Sequence, residues 1–311
     1  MYLVTGGAGF IGSNIVEALV SRGERVRVLD DFSTGRRENL VAFADKIEVL
    51  EGDIADAEVC AQALQGVRFV LHQAALPSVA RSIEDPISTN KTNVDGTLSL
   101  LWAAKAARVE RFVFASSSSV YGESPTLPKQ EDMPPRPISP YAVSKLTTEY
   151  YASVFTQAYQ LPTVGLRYFN VFGPRQDPNS HYAAVIPRFI TSILAGRAPT
   201  IFGDGTQSRD FCFIENVVSA NLLACASTDA IGQVMNIACG GRIDLNELVQ
   251  KINLLLNTDI AALHEPARTG DIKHSLADIE RAQRLLGYQV LADFDEGLRR
   301  TVAWYQKAGA R

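Results

Sequence analysis

Tyr141 and Lys145 stand four residues apart in YAVSK, directly after a loop ending PISP. Ser139 suits a helix N-cap and Pro140 the first helical position, so both side chains fall on one face, one turn apart. On a surface helix such a pair is ordinary. As chemistry it is a phenol beside an ammonium: a phenol of pKa ~10 is a poor base at neutral pH, and a nearby cation favours the phenolate. Upstream, FASSSSVYG (114–122) supplies four consecutive hydroxyls. Four serines make a poor strand, and Ser116 and Ser119 read equally well as turn residues bonding backbone.

These groups can meet only if strands and helices deliver them to one edge. Short apolar runs alternate with stretches of helical periodicity. The runs are LVT (3–5), RVRVLD (25–30), IEVLEGD (47–53), VRFVLHQAA (67–75), RFVFASSS (111–118) and TVGLRYFN (163–170). Between them lie IGSNIVEALVSRG, AEVCAQALQ, a long amphipathic stretch at 86–107 and a helix from near Tyr141. Strand and helix in alternation, with strands apolar throughout, predict an α/β fold: a doubly wound parallel sheet of Rossmann type, covered on both faces. Its ligands would lie at the carboxyl edge of the strands. After residue 170 the rhythm loosens, with helices expected at 183–196, 214–226, 244–256, 278–286 and 293–307. The expected division is a dinucleotide-binding domain at 1–170, with about 206–240 returning to it, and a smaller α/β substrate-binding cap at 171–311.

VTGGAGFIGSN (4–14) follows the first strand and opens the first helix. Gly6, Gly9 and Gly12 let the backbone turn, approach a pyrophosphate and pack helix on strand, while the helix N-terminus faces the phosphates. Asp30 ends the second strand, 18 residues past Gly12. A carboxylate there accepts from ribose hydroxyls and repels a 2′-phosphate, which favours NAD over NADP. Arg36 and Arg37 lie close by and could meet such a phosphate. Asp53 suits the adenine amino group, and Gln73, Ala74 and Ala75 allow close backbone approach.

The totals exclude other classes. The chain has 311 residues and a net charge of −4, with 46% hydrophobic and 21% charged residues. There is no basic arm and no run that spans a bilayer, so neither nucleic acid nor membrane is an expected partner. The N-terminus enters a strand without a leader, and a cytoplasmic location is expected. Cys60, Cys212, Cys225 and Cys239 form no CxxC pair and read as reduced thiols; the four histidines show no ligand spacing, so no metal is expected.

TGGAGFIG, Asp30, the serine run and YAVSK together resemble the extended short-chain dehydrogenase/reductase family. RYFNVFGPRQDPN, GDGTQSRDFCFIENV and ARTGDIKHSLADI resemble its UDP-sugar 4-epimerases, most closely the UDP-N-acetylhexosamine branch. The resemblance covers essentially the whole chain. It implies that Tyr141 takes the sugar O4 proton, that Lys145 binds the nicotinamide ribose, and that Ser117, with Ser118, hydrogen-bonds O4. It implies a tightly held NAD, regenerated each cycle. The cofactor would be held by Gly6, Gly9, Phe10, Ile11, Gly12, Asp30, Asp31, Phe32, Thr34 and Gly35. Further along the chain Asp53, Ile54, Gln73, Ala74, Ala75, Asn93, Ala115, Ser116, Tyr141, Lys145 and Tyr168 would join them. The UDP-sugar would be held by Ser78, Ser117, Ser119, Tyr141, Asn170, Ala184, Val185 and Phe202, with Arg209 and Arg268 on the diphosphate, Asp271 on the uridine ribose and Ser275 by the sugar. A homodimer through a four-helix bundle is also implied. Nucleotide-sugar dehydratases of the family carry Asp-Glu where this chain has Ser118-Ser119, and UDP-xylose-forming decarboxylases carry a Glu near Ser119. UDP-glucuronate 4-epimerases usually carry Thr in place of Asn170. Glucose-restricted epimerases commonly carry Tyr in place of Ser275, where a small residue leaves room for an acetamido group. Pro77 departs from the branch, which often has Gly there. A UDP-glucuronate epimerase and a non-catalytic NAD-binding regulator remain alternative readings.

Overall fold

The structure is a computed structural model that describes residues 1–178, 184–267 and 273–309. Its centre is a seven-stranded parallel sheet. Six strands come from the first half: β1 (Tyr2–Thr5), β2 (Val26–Asp30), β3 (Ile47–Glu51), β4 (Phe69–His72), β5 (Arg111–Ser117) and β6 (Thr163–Tyr168). The seventh, Val234–Ile237, pairs with β6, giving the order Val234–Ile237, β6, β5, β4, β1, β2, β3. The order reverses between β1 and β4, the switch point at whose carboxyl edge sheets of this type bind their ligands.

Helices cover both faces because the strands are apolar on both. β6 is buried along its whole length, and Leu3, Val4, Val70, Leu71, Phe112 and Val113 are inaccessible to solvent. On one face α1 (Phe10–Ser21) packs against α8 (Ile214–Ala226). On the other lie α2 (Ala57–Ala63), α5 (Thr97–Ala106) and α6 (Pro140–Tyr159), where Leu100, Leu101, Ala104, Ala152 and Phe155 join the core. Between α2 and α5 the chain forms α3 (Val79–Glu84) and α4 (Pro86–Asn90). Beyond the sheet are α7 (Val185–Leu194), α9 (Leu245–Leu256), α10 (Glu280–Leu286) and α11 (Phe294–Gly309), each within two residues of its expected bounds.

The stretch 86–107, expected as one helix, is three pieces. A π-helical turn at Lys91–Gly96 separates α4 from α5. The extra residue of that turn carries Asn93 into the interior, 1% exposed. Gly96 is required beside it, since a Cβ there would stand 2.7 Å from Ile54 Cγ1. Among the described residues no helix is long and apolar enough to cross a membrane.

Candidate active site

The glycine turn is shaped by close backbone approach. Gly6 has φ +64°, and a Cβ on it would stand 2.7 Å from Ala74 N; a Cβ on Gly12 would stand 2.1 Å from Gly6 O. No other residue fits either position. Asp30 follows at the end of β2, its Oδ2 accepting from Ala8 N at 2.8 Å and its Oδ1 from Phe32 N at 2.9 Å. Burial pushes its carboxyl above the usual range, and the two amides oppose that shift. Gly35 approaches so closely that a Cβ would stand 2.6 Å from Asp30 Oδ1. Arg36 pairs with Asp177 at 2.7 Å, and Arg37 pairs with Glu51 at 2.6 Å while stacking 3.8 Å over Phe32. Both arginines flagged as alternative phosphate ligands are thus engaged with carboxylates.

Other expected cofactor residues divide by what their side chains do. Asp53 Oδ1 accepts from Ala55 N at 2.8 Å, and Asp31 Oδ1 accepts from Ser33; Thr34 is exposed. Ile54 is buried, which leaves only its backbone for a ligand. Gln73 and Tyr168 are held together by Asn221, a residue the sequence reading missed: Tyr168 Oη donates to Gln73 Oε1 at 3.1 Å and accepts from Asn221 Nδ2 at 2.8 Å. Asn93, expected at the cofactor, spends its side chain on Leu76 N, Leu76 O and Ser144 Oγ. It positions a loop. Ser116 spends its hydroxyl on Glu149, to which it donates, which leaves its backbone for a cofactor.

The reacting groups meet where β5 ends and α6 begins. Ser139 Oγ caps α6 by accepting from Ala142 N at 3.2 Å, and Pro140 opens the helix. Ser117, the last residue of β5, accepts from Ser119 N at 3.1 Å and from Ser119 Oγ at 2.9 Å. With those acceptor positions filled, its own proton is left to point outward, and it is near enough to the Tyr141 phenol to favour the ionised form. Ser119, expected on the substrate, instead supports Ser117; Ser118 is half-buried beside it. Lys145 Nζ donates to Ala115 O at 2.9 Å and lies 5.9 Å from the centre of the Tyr141 ring.

The electrostatics explain why one ammonium is not enough. Burial pushes the Tyr141 phenol above its ordinary value, opposed only by the Ser117 hydrogen bond. Burial also lowers Lys145 to about 8. The ammonium by itself therefore does not ionise the phenol. Desolvation wins over the single lysine, and a second positive charge is needed beside the ring.

At the opposite end, Asn170 adopts φ +34° and its Nδ2 donates to Asp210 O at 3.1 Å, with Ser275 Oγ 3.5 Å away. Arg209 Nη1 donates to Ser208 O at 3.0 Å and Lys273 O at 3.1 Å. The adjacent Asp210 carboxylate is engaged by backbone amides. Asp210 is fully buried, and its carboxylate accepts from the amides of Cys239, Gly240 and Ala277 at 3.0, 3.1 and 3.2 Å. Burial pushes that carboxyl up to about 6. Asp210 thus ties the Arg209 strand to the segment carrying Ser275. Ser78 has φ +101° and caps α3, accepting from Arg81 N at 3.3 Å, with exposed Pro77 before it. Ala184 is the N-cap of α7 and Val185 its first residue, while Phe202 ends a short strand, Thr200–Phe202. Arg268 and Asp271 lie outside the described residues.

A glycine turn, an acidic end to β2 and a phenol, ammonium and hydroxyl at the same crevice define a Rossmann-fold, dinucleotide-dependent enzyme. The family model "NAD dependent epimerase/dehydratase family" matches residues 2–238. The chain belongs to that family. It is 39% identical over 308 residues to the UDP-glucose 4-epimerase of Mycolicibacterium smegmatis, covering 98% of each chain. Among solved structures, it is 42% identical to a UDP-N-acetylglucosamine 4-epimerase from Methanobrevibacter ruminantium in complex with UDP-N-acetylmuramic acid. That match has a TM-score of 0.94 and covers 99% of this chain and 98% of the other. The UDP-glucose 4-epimerase of Thermus thermophilus, in complex with NAD, is 37% identical, with a TM-score of 0.90 and 99% of each chain covered. NAD is the family's cofactor, and the cradle of Gly6, Gly12 and Gly35 around Asp30 fits it.

Proposed function

We propose that the chain is a UDP-hexose 4-epimerase that interconverts UDP-N-acetylglucosamine with UDP-N-acetylgalactosamine and also accepts UDP-glucose and UDP-galactose. The observation that carries this reading is the Ser117–Tyr141 pair standing next to Ser118 and Ser119. There is a proton acceptor for O4 and a hydroxyl to hold it, and serines stand at the positions where the family's dehydratases and decarboxylases carry their acids. Bound NAD supplies a hydride acceptor and donor for sugar C4, so a 4-keto sugar that turns over between the two transfers is inverted there. Tyr141 removes and returns the O4 proton. Ser117, its acceptor positions occupied by Ser119, donates to O4 and fixes the hydroxyl toward the phenol. Lys145, anchored on Ala115 O, holds the nicotinamide ribose and keeps positive charge near the ring. Arg209, with Arg268, binds the diphosphate, and Asp271 the uridine ribose. The pairing of Val234–Ile237 with β6 supports the return of about 206–240 to a cofactor domain built on 1–170, with the cap at 171–311.

The acetamido preference rests on Ser275. Its hydroxyl reaches Asn170 and its amide donates to Ser208 O at 3.0 Å, so the segment is pinned and cannot retreat from a larger side chain. Purified protein is expected to convert UDP-N-acetylglucosamine and, more slowly, UDP-glucose when products are followed by NMR. Ser275→Tyr should lower kcat/KM for UDP-N-acetylglucosamine roughly 5–150-fold, from an overpacking cost of ~1–3 kcal/mol, and spare UDP-glucose. Turnover of UDP-glucuronate alone would replace this reading. Bound NAD with no exchange at C4 of any UDP-sugar would favour a regulator.

The homodimer is part of the same proposal. Trp102 on α5 is 53% exposed, and Tyr150 and Val154 on α6 are 60% and 51% exposed. This apolar face supports docking of α5 and α6 on a second copy to form a four-helix bundle. Light scattering should give the mass of two chains, and Tyr150→Glu should halve it; a wild-type monomer at micromolar concentration ends the idea.

A further inference from the structure

His72 ends β4 and is buried, 3% exposed, beside the Phe112 ring. Its Nδ1 stands 2.7 Å from Thr5 Oγ1 and its Nε2 stands 2.9 Å from Thr97 Oγ1. The tautomer follows from counting protons. Thr97 Oγ1 donates at 2.6 Å to Asn93 O, a carbonyl that can only accept. A hydroxyl has one proton, so toward His72 the Thr97 oxygen must accept, and Nε2 must carry hydrogen. The ring is neutral: burial, with the Lys145 charge adding to it, lowers its pKa to about 3. Nδ1 therefore accepts, and Thr5 donates to it. Thr5 Oγ1 in turn accepts from Ala74 N at 3.3 Å. The result is a one-directional chain from Ala74 N through Thr5, His72 and Thr97 to Asn93 O, whose members polarise one another in the same sense.

Its two ends matter. Ala74 N is the atom against which the Gly6 turn is packed. Asn93 accepts from Leu76 N at 2.8 Å and donates to Leu76 O at 3.2 Å, two residues before the left-handed Ser78. It also donates at 3.0 Å to Ser144 Oγ, which donates at 2.8 Å to Tyr141 O. We propose that His72 is a positioning residue whose Nε2–H tautomer couples the glycine turn that seats the dinucleotide to the Leu76–Ser78 loop that faces the sugar. The sugar half of this inference rests on the proposed epimerase reading; the cofactor half does not.

The test uses full-length protein. Nitrogen NMR of histidine-labelled wild type at pH 7 should show one ring carrying hydrogen on Nε2 only and absent from His72→Gln. An Nδ1–H or doubly protonated ring overturns the proposal. His72→Gln keeps an amide near the Nε2 position and gives up the partner of Thr5. It should weaken NAD retention about tenfold, the order expected for one unmade buried hydrogen bond, and leave the UDP-sugar KM within about twofold. His72→Asn keeps an acceptor for Thr5 and gives up the donor to Thr97. It should raise the UDP-sugar KM about tenfold and hold NAD normally. Equal loss of both properties in the two variants, tracking their melting temperatures, would reduce His72 to packing and overturn the proposal. If no UDP-sugar is turned over at all, the epimerase reading fails, while the tautomer and NAD arms still judge the coupling.

Discussion

Tyr141→Phe is expected to lower kcat by about 10²–10⁴-fold with little change in UDP-sugar KM or NAD retention, the pattern of a lost acid–base group rather than a lost binding contact. The substitution removes one oxygen. Ser139 and Pro140 still start the helix, Lys145 still reaches Ala115 O, and Ser117 is still held by Ser119. On the proposed mechanism, only the path of the O4 proton is broken. The electrostatics sharpen the expectation. In protein stripped of NAD, burial holds the phenol above its ordinary pKa of 10.0, so the difference absorbance at 295 nm between wild type and Tyr141→Phe should show no phenolate at pH 9. The site is therefore inert as a base until a second cation joins Lys145. Steady-state kinetics decide it: interconversion at the wild-type rate in the Phe variant would remove Tyr141 from the mechanism.

Glu149→Ala is expected to destabilise the fold by ~3–5 kcal/mol, because it strands a guanidinium in the interior. Glu149 and Arg167 are each 6% exposed at their side chains. Arg167 Nε donates to Glu149 Oε1 at 2.8 Å and its Nη2 to Oε2 at 2.7 Å. Burial acts against the charge on Arg167, but the hydrogen bonds and charge of Glu149 outweigh it and raise its pKa. The guanidinium cannot escape by losing its proton, so the penalty falls on folding. Removing both charges in Glu149→Met with Arg167→Met should recover most of the loss. Denaturant midpoints measure both effects; a wild-type midpoint for Glu149→Ala would show that the pair is not needed. The pair matters to the site as well. Glu149 lies eight residues beyond Tyr141 and four beyond Lys145 on α6, and Ser116 and Arg167 are direct partners in the β5–β6 register. Glu149 takes the Ser116 hydroxyl, and strand alternation turns Ser117, the next residue of β5, to the opposite side.

That last point marks the boundary of what the sequence discloses. The glycine turn, Asp30 and the Tyr141–Lys145 spacing are local patterns, each written within one turn or one strand-to-helix junction, and they were legible. So were the parallel sheet and the helices beyond residue 170, because burial on two faces leaves apolar runs without alternation. Four chemically identical serines carry no such mark. Ser116 and Ser119 read both as ligand contacts and as turn residues; their hydroxyls go to Glu149, 33 residues away, and to Ser117, 2 residues away. Asn93 was placed at the cofactor, and a π-helical turn that composition does not announce redirected it to Leu76. Asp210, Asn221 and His72 were missed because what they do depends on residues 29 to 67 and more positions distant, brought together only by the strand order. The phenol is expected to ionise beside two cations, the lysine and the oxidised nicotinamide; desolvation, which a sequence does not show, is what makes the second of them necessary.

The sheet ends differently on its two sides. Beside Val234–Ile237, the outward Asn236 N donates to Glu131 Oε1 at 2.9 Å, and Asn236 Nδ2 ties in Lys129 and Asp278, so a loop closes that border. Among the described residues β3 has no such cover. Its border carries Glu48, paired with Arg25 and Arg27, and Glu51, paired with Arg37. A foreign strand adding there would have to desolvate those charges, which keeps an open ladder from recruiting neighbours into aggregates. Since the pairs are solvent-exposed and screened by salt, this guard weakens as ionic strength rises.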